Sequence, residues 1–482
     1  VSQGLVAFVL IAVFLLLARE AAHRVVVTLG AVAFIWLITY FTPYHLLSFE
    51  HSAAALDFNV LVLLAAMMAL VGVLKTTGVF EWAVARILHR ADGRPTVVLV
   101  LVIWATALLS AFLDNVTTVV FLTPIALELG KRLRLRASTI LLPMVMASNI
   151  GGTATLIGDP PNIMIGSAAN LSFVDFLAKL SLPVLLMVVL LSLWSTRQAR
   201  TELQMQGEGA ATNKGVMTEF KVRDRELARW MGWICLLVLA GFLTHHITGM
   251  PAAVPATGGA ALALIVQDRL YLKRHRPSPA ERIHGVLAVT ERDIEWPTLA
   301  FFGFLFIIVG AAVNTGLIET LARALVVGVA ESSRVLGLGP QGALLFAALI
   351  ICWTSGVVSA VVDNIPFVAV SIPIISRLAQ GMPGDSTVLW WALALGACLG
   401  GNATVVGASA NVTAVGLAEK AGVHLRFADF ASYGIPVAMG SLLVSSLVLA
   451  GFVYLSPVVT QLSVLAALLG LATVVFLLRR QS

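Results

Sequence analysis

Two stretches, GTATLIGDPPN (Gly152–Asn162) and GNATVVGASAN (Gly401–Asn411), interrupt long apolar runs. In lipid a helix satisfies its own backbone, so an interruption must find partners inside the protein or line a wet cavity. Pro160 and Pro161 cannot continue a helical ladder. Gly151, Gly152, Gly400 and Gly401 permit a bend and a close backbone approach. The argument applies only if the runs cross a membrane, and composition decides that. The chain is 59% hydrophobic and 12% charged, against roughly 25% charged in a soluble domain. Val25–Tyr40, Asn59–Leu74, Leu182–Trp194, Met231–Leu243, Phe301–Val313 and Ile435–Leu455 approach the roughly 20 residues that a spanning helix needs. The chain therefore reads as an all-α polytopic membrane protein.

In that setting the net charge of +6 marks loops, not a nucleic-acid surface. Cys235, Cys352 and Cys398 lie scattered in apolar segments without metal-ligand spacing, so buried thiols are expected and no metal or cofactor. Leu5–Ala18 has the length of a signal core, but Arg19, Glu20 and Arg24 stand where a small-residue cleavage site belongs; a retained helix is expected. Lys and Arg cluster in Arg19–Arg24, Lys75–Arg94, Lys131–Arg136, Arg197–Arg229, Arg269–Arg292 and at Arg479–Arg480. Placing these loops in the cytoplasm of a prokaryotic inner membrane starts the chain outside and leaves the C-terminus inside. Thr96–Gly130 and Gly342–Arg377 then enter and return as re-entrant hairpins, and the rest supplies about 11 spans. The organisation expected is a first repeat over 1–195, a polar cytoplasmic linker over 196–229 holding GEGAATNKG, a second repeat over 230–455 and an extra C-terminal helix over 456–482.

Each half has five spans, an odd number, so the second repeat is inverted relative to the first. Sequence supports the duplication. SAFLDNVTTVVFLTPI (Ser110–Ile125) and SAVVDNIPFVAVSIPI (Ser359–Ile374) agree at seven of sixteen positions. The same offset brings Gly152–Asn162 onto Gly401–Asn411 with five matches in eleven. Upstream, VGVLKTTGVFE (Val71–Glu81) resembles VGAAVNTGLIE (Val309–Glu319). Glu81 and Glu319 then read as caps or structural pairs on interfacial helices, and His245 with His246 as a membrane-edge pair.

Inverted repeats with a helix broken at matching places point to alternating access around a midplane site. Half-helix starts offer N–H groups to oxyanions or hydroxyls, and half-helix ends offer carbonyls to cations. Asn115, Thr117, Thr118, Asn149, Gly152, Thr153, Asn162, Asn364, Gly401, Asn402, Thr404 and Asn411 are the candidate solute-binding residues. Thr155 joins them as a neutral hydrogen-bond partner. A carboxylate at this depth is costly and marks a proton or ion path, so Asp114, Asp159 and Asp363 are the coupling candidates. Each could instead cap the helix that follows it. Neither a nucleotide loop nor a hydrolytic nucleophile motif is present, so neither an enzyme nor a self-contained ATP-driven pump is expected.

SAFLDNVTTVVFLTPI followed by SNIGGTATLIGDPPNIMIGSAANLSFVDF (Ser148–Phe176) closely resembles the arsenite permease / pink-eyed dilution P-protein family of the ion transporter superfamily. The resemblance covers essentially the whole chain. It implies two inverted repeats, each with a hairpin and a broken helix, and efflux of arsenite or antimonite by proton antiport. Sodium/proton antiporters and anion or dicarboxylate carriers are the superfamily's alternatives. Carboxylate carriers resemble one another through Ser-Asn-Thr signatures at both hairpin tips, where this chain has Asp114-Asn115-Val116-Thr117 and Asp363-Asn364-Ile365-Pro366. An acidic tip repels an anion and suits a neutral polyhydroxyl solute or a cation. DNVTT and GDPPN lean towards the P-protein branch. A cytoplasmic ATPase subunit and a homodimer are partners that the resemblance allows.

Overall fold

The computed structural model describes residues 1–19, 22–80, 82–83, 86, 94–200, 202, 222–275, 291, 293–382 and 384–481. Glu81, the linker motif GEGAATNKG and the side chain of His246 lie outside the described residues. The helices are α1 (Ser2–Ala18), α2 (Arg24–Phe41), α3 (Phe58–Thr76), α4 (Pro95–Ser110), α5 (Asn115–Arg132), α6 (Ala137–Gly152), α7 (Pro160–Ala169), α8 (Phe173–Gln198) and α9 (Arg225–Thr248). There follow α10 (Ala253–His275), α11 (Trp296–Asn314), α12 (Leu317–Val335), α13 (Pro340–Ser359), α14 (Asn364–Gly381), α15 (Thr387–Gly400), α16 (Ser409–Lys420), α17 (Phe427–Tyr454) and α18 (Pro457–Gln481).

The protein is an all-α polytopic membrane protein. Among the described residues, seven helices are long and apolar enough to cross a membrane, and α1, α4, α6, α15 and α18 hold shorter apolar stretches. Two of these facts need the turns to be understood. Helix α13 has a span's length and is joined by a short turn to α14, against which it packs, as α4 is joined to α5. Helices α6 and α7, like α15 and α16, share one apolar stretch split by a break. Asp57 caps α3 through the Val60 amide (3.1 Å). Asp224 caps α9 through Leu227 (3.0 Å) and is forked by Arg274 at the end of α10. The guanidinium beside it holds the Asp224 carboxyl below the usual carboxylate range.

The chain forms two compact units. One comprises Val1–Asp92, Ser172–Val174 and Thr212–Leu317, so it holds α1 to α3 together with α9 to α11. The other comprises Gly93–Leu171, Asp175–Ala211 and Ile318–Ser482, and holds both hairpins and both broken helices. Each unit thus draws on both halves of the sequence. In the first, α3 packs against α10 and α2 against α11. Helices α3 and α11 both end at a left-handed glycine, Gly78 (φ 72°) and Gly316 (φ 73°), which explains the shared Thr-Gly of the two motifs. His245 closes the start of α8: its Nε2 accepts from the Phe173 amide (3.2 Å) while Nδ1 faces the Met250 carbonyl (3.3 Å). In the second unit, Glu319 on α12 pairs with Arg323 and Arg377.

The hairpins sit on the broken helices at backbone contact. A Cβ on Gly151 would lie 2.2 Å from the Ala107 carbonyl oxygen, and one on Gly400 2.3 Å from that of Gly356. Neither glycine has a positive φ, so proximity and not a bend demands it. In an ordinary helix Gly→Ala stabilises by up to about 1 kcal/mol. Here the sign reverses: Gly151→Ala or Gly400→Ala should lower the thermal midpoint of the detergent-purified protein by the equivalent of about 1–3 kcal/mol or more. Gly4→Ala, with nothing within 4 Å, should leave it unchanged or raised.

Candidate functional site

The second unit builds the same device twice. In the first repeat α4 ends at Ser110, the chain turns, and Asp114 restarts it as α5 by accepting from the Thr117 amide (2.8 Å) and hydroxyl (2.5 Å). In the second, Asp363 caps α14 through the Ile365 amide (3.3 Å) and also accepts from the Ser409 hydroxyl. Both aspartates are half-buried caps. Each break is tied to its hairpin tip by a threonine: Thr155 donates to the Ala111 carbonyl and Thr404 to that of Ala360. Each is then stapled by an asparagine from the half-helix beyond. Asn162 Nδ2 donates to the carbonyls of Gly152 (3.2 Å) and Thr155 (2.9 Å), and Asn411 Nδ2 to those of Gly401 and Thr404 (both 2.8 Å). These bonds satisfy carbonyls that the interrupted ladder orphans.

The repeats also bond across to each other, reciprocally. Asn149 of the first repeat donates both amide hydrogens to the second, to Asn402 Oδ1 and Asn411 Oδ1 (each 2.9 Å). Its counterpart at the repeat offset is Cys398, whose thiol donates to Asn162 Oδ1 (3.6 Å), the counterpart of Asn411. Asn364 Nδ2 donates to Asp159 Oδ2 of the other repeat (3.3 Å). The counterpart of Asp159 is Ala408, which has nothing to accept with, and Asn115 Nδ2 turns instead to Asn149 Oδ1 (3.3 Å). Matching helices keep this pattern, with α5 against α16 and α14 against α7.

Asp159 is 1% exposed, and among the described residues it is the one buried carboxylate, while no Lys, Arg or His is buried. It occupies the cap position of α7 without bonding an α7 amide. Pro160 and Pro161 have no N–H to offer it, and the next amide, Asn162, bonds the Asp159 carbonyl (2.9 Å). Asp159 thus holds the N-cap position of α7 with its backbone, while its side chain bonds no amide of that helix. Asn364, which donates to Asp159, directly follows Asp363 in the chain. Three buried polar groups on the neighbouring elements have no protein partner: Asn402 Nδ2 at the second break, and Thr118 Oγ1 and Thr123 Oγ1 on α5. No group of three or more His, Cys, Asp or Glu side chains able to hold a metal occurs among the described residues.

The residues singled out from sequence fall into two sets. Asn115, Asn149, Asn162, Asn364, Asn402, Asn411 and Asp159 are linked through the bonds above. Thr153 returns its hydroxyl to the Asn149 carbonyl (2.9 Å), Thr117 and Thr404 serve the hairpins, and Gly152 and Gly401 present carbonyls to the staples. Cys398, Ser409 and the Ser110–Ser148 hydroxyl pair (3.2 Å) escaped the sequence reading. The repeat offset could have found Cys398, because it stands where the first repeat has Asn149. Asn149 uses both of its amide donors and accepts one bond at Oδ1. Asn149→Ala should cost about 1–3 kcal/mol for each partner stranded in the dry interior, measured as a fall in the thermal midpoint larger than for Thr117→Ala on the half-exposed tip.

A family model described as citrate transporter matches residues 13–396. An uncharacterized transporter of Mycobacterium tuberculosis is 34% identical over 443 residues, covering 92% of this chain and 96% of its own. A 46 kDa membrane protein of Mycobacterium leprae is 38% identical over 403 residues, 83% of this chain and 88% of that one. The mouse P protein is 28% identical over 508 residues, spanning 90% of this chain and 58% of the P protein. The crystal structure of the Alcanivorax borkumensis YdaH transporter shares the fold, with a TM-score of 0.60 at 15% identity over 90% of this chain and 99% of that one. The match to the P protein is in keeping with the motifs quoted above, while arsenite permeases are not among these matches. The chain belongs to the citrate transporter family and is a membrane transporter.

Proposed function

We propose that the chain is an alternating-access secondary carrier that exports a small polyhydroxyl solute, arsenite or antimonite, in exchange for protons. The supporting observation is the buried Asp159 carboxylate held by one amide, with no buried basic side chain among the described residues. Such a charge calls for a proton or a bound cation. Proton uptake at Asp159, beside Asp114 and Asp363, shifts the balance between inward- and outward-facing states by its different stability in each. A neutral arsenous acid molecule adds no charge to an already acidic site and can be released again. The two repeats are inverted, the carrier lies in a prokaryotic cytoplasmic membrane, and the C-terminus faces the cytoplasm.

The description of the family favours a second reading, a carboxylate anion as cargo. In that case the anion must arrive with a cation, because the acidic groups would otherwise repel it. Everted vesicles containing the protein separate these readings. An imposed pH gradient should drive arsenite accumulation, and Asp159→Asn should abolish its pH dependence. Citrate uptake without arsenite uptake would establish the second reading, and sodium-driven pH recovery without either would make the protein a sodium/proton antiporter.

A further inference from the structure

We infer that the two equivalent breaks have divided their labour: the first is the coupling subsite, and the second is the solute subsite, built to donate hydrogen bonds to oxygen acceptors. This deepens the carrier reading above and rests on it. The first break carries a carboxylate, Asp159, and begins its half-helix with Pro160 and Pro161, which have no N–H. The second carries Ala408 in place of the carboxylate and begins its half-helix with Ser409 and Ala410. Those two residues bring N–H donors that have no place in the helical ladder of α16, at its positive end. Exchanging Asp-Pro-Pro for Ala-Ser-Ala thus removes the buried carboxylate and adds donors in one stroke, leaving only the half-buried Asp363, which accepts from the Ser409 hydroxyl.

An independent observation points to a ligand at the second break. Asn402 is fully buried, yet its Nδ2 has no partner. The orientation is fixed, because its Oδ1 accepts from Asn149 Nδ2 and a flipped amide would set nitrogen against nitrogen. Asn402 Oδ1 and Asn411 Oδ1, the latter on the first turn of α16, accept from the same Asn149 nitrogen, which brings the two side chains together. Thr118, also fully buried and on α5 against α16, keeps an unpartnered hydroxyl. A buried donor without a partner is destabilising. Its retention here is explained by a solute presenting oxygen lone pairs, as the hydroxyls of arsenous acid or the carboxylates of citrate both do. The first repeat has Thr153 where the second has Asn402, and that hydroxyl is already satisfied by the Asn149 carbonyl.

Full-length protein in proteoliposomes tests this, with arsenite and citrate as separate probes that distinguish a neutral hydroxyl cargo from a carboxylate one. For whichever probe is carried, Asn402→Ala should raise KM by about tenfold, one hydrogen bond in a dry site, without moving the pH of half-maximal uptake. Thr118→Val, equal in shape, should raise KM by about threefold without lowering the thermal midpoint; it carries the test if Asn402→Ala fails to fold. Asp159→Asn should flatten the pH profile while KM changes less than about threefold. An unchanged KM in the first two variants, or KM and pH profile moving together in all three, overturns the division. Transport of neither probe by the wild type overturns the solute class, and sodium-driven pH recovery in the same vesicles then shows separately whether the carrier reading stands.

Discussion

A backbone opened inside a membrane has to be closed by the protein itself, and in this molecule asparagine side chains do it. Asn162 and Asn411 each reach back across a break to carbonyls on its far side. Asn149 then spans from one break to the other with both of its amide hydrogens. Asparagine suits the task because it carries two donors and an acceptor on a short stem with no charge to desolvate. The threonines that bond the hairpin tips from the breaks, Thr155 and Thr404, and the glycine contacts between helices follow from this. They hold the tips where the opened backbone can be satisfied, and they leave no room for side chains between.

Much of this was legible in the sequence because the constraint acts on residue type. Only Gly allows the contacts at Gly151 and Gly400, and Asn and Thr are natural closers of a broken ladder, so the two copies stayed alike where the device is built. Asp114 and Asp363 were legible as caps because capping is local. What a linear alignment could not show is which groups meet. A repeat aligns like with like, whereas the bonds run crosswise: Asp159 meets Asn364, and Asn149 meets Asn411. The replacement of Asn149 by Cys398 was hidden for the same reason, since unlike residues at equivalent positions look like loss of similarity. The compact units were also out of reach, because packing follows which helices are adjacent and each unit gathers helices from both halves.

Symmetry supplies the scaffold and its failure supplies the chemistry. Where the two breaks do the same work their residues largely coincide, and at Thr153/Asn402 and Asp159-Pro160-Pro161/Ala408-Ser409-Ala410 a charge or a hydrogen-bond donor has changed sides. The same comparison gives the orphaned amide of Asn402 a context that it lacks when considered alone. In the first repeat the equivalent position is a self-satisfied threonine, so the idle donor belongs to one copy and not to the architecture.

The glycine contacts have a mechanical consequence. Where Gly151 meets Ala107 and Gly400 meets Gly356, main chain touches main chain with no layer of side chains between. Each hairpin is held to its broken helix at that contact, and Thr155 or Thr404 of the break adds a second fastening by donating to a carbonyl of the tip. A hairpin that moves must therefore carry its break with it or give up both fastenings.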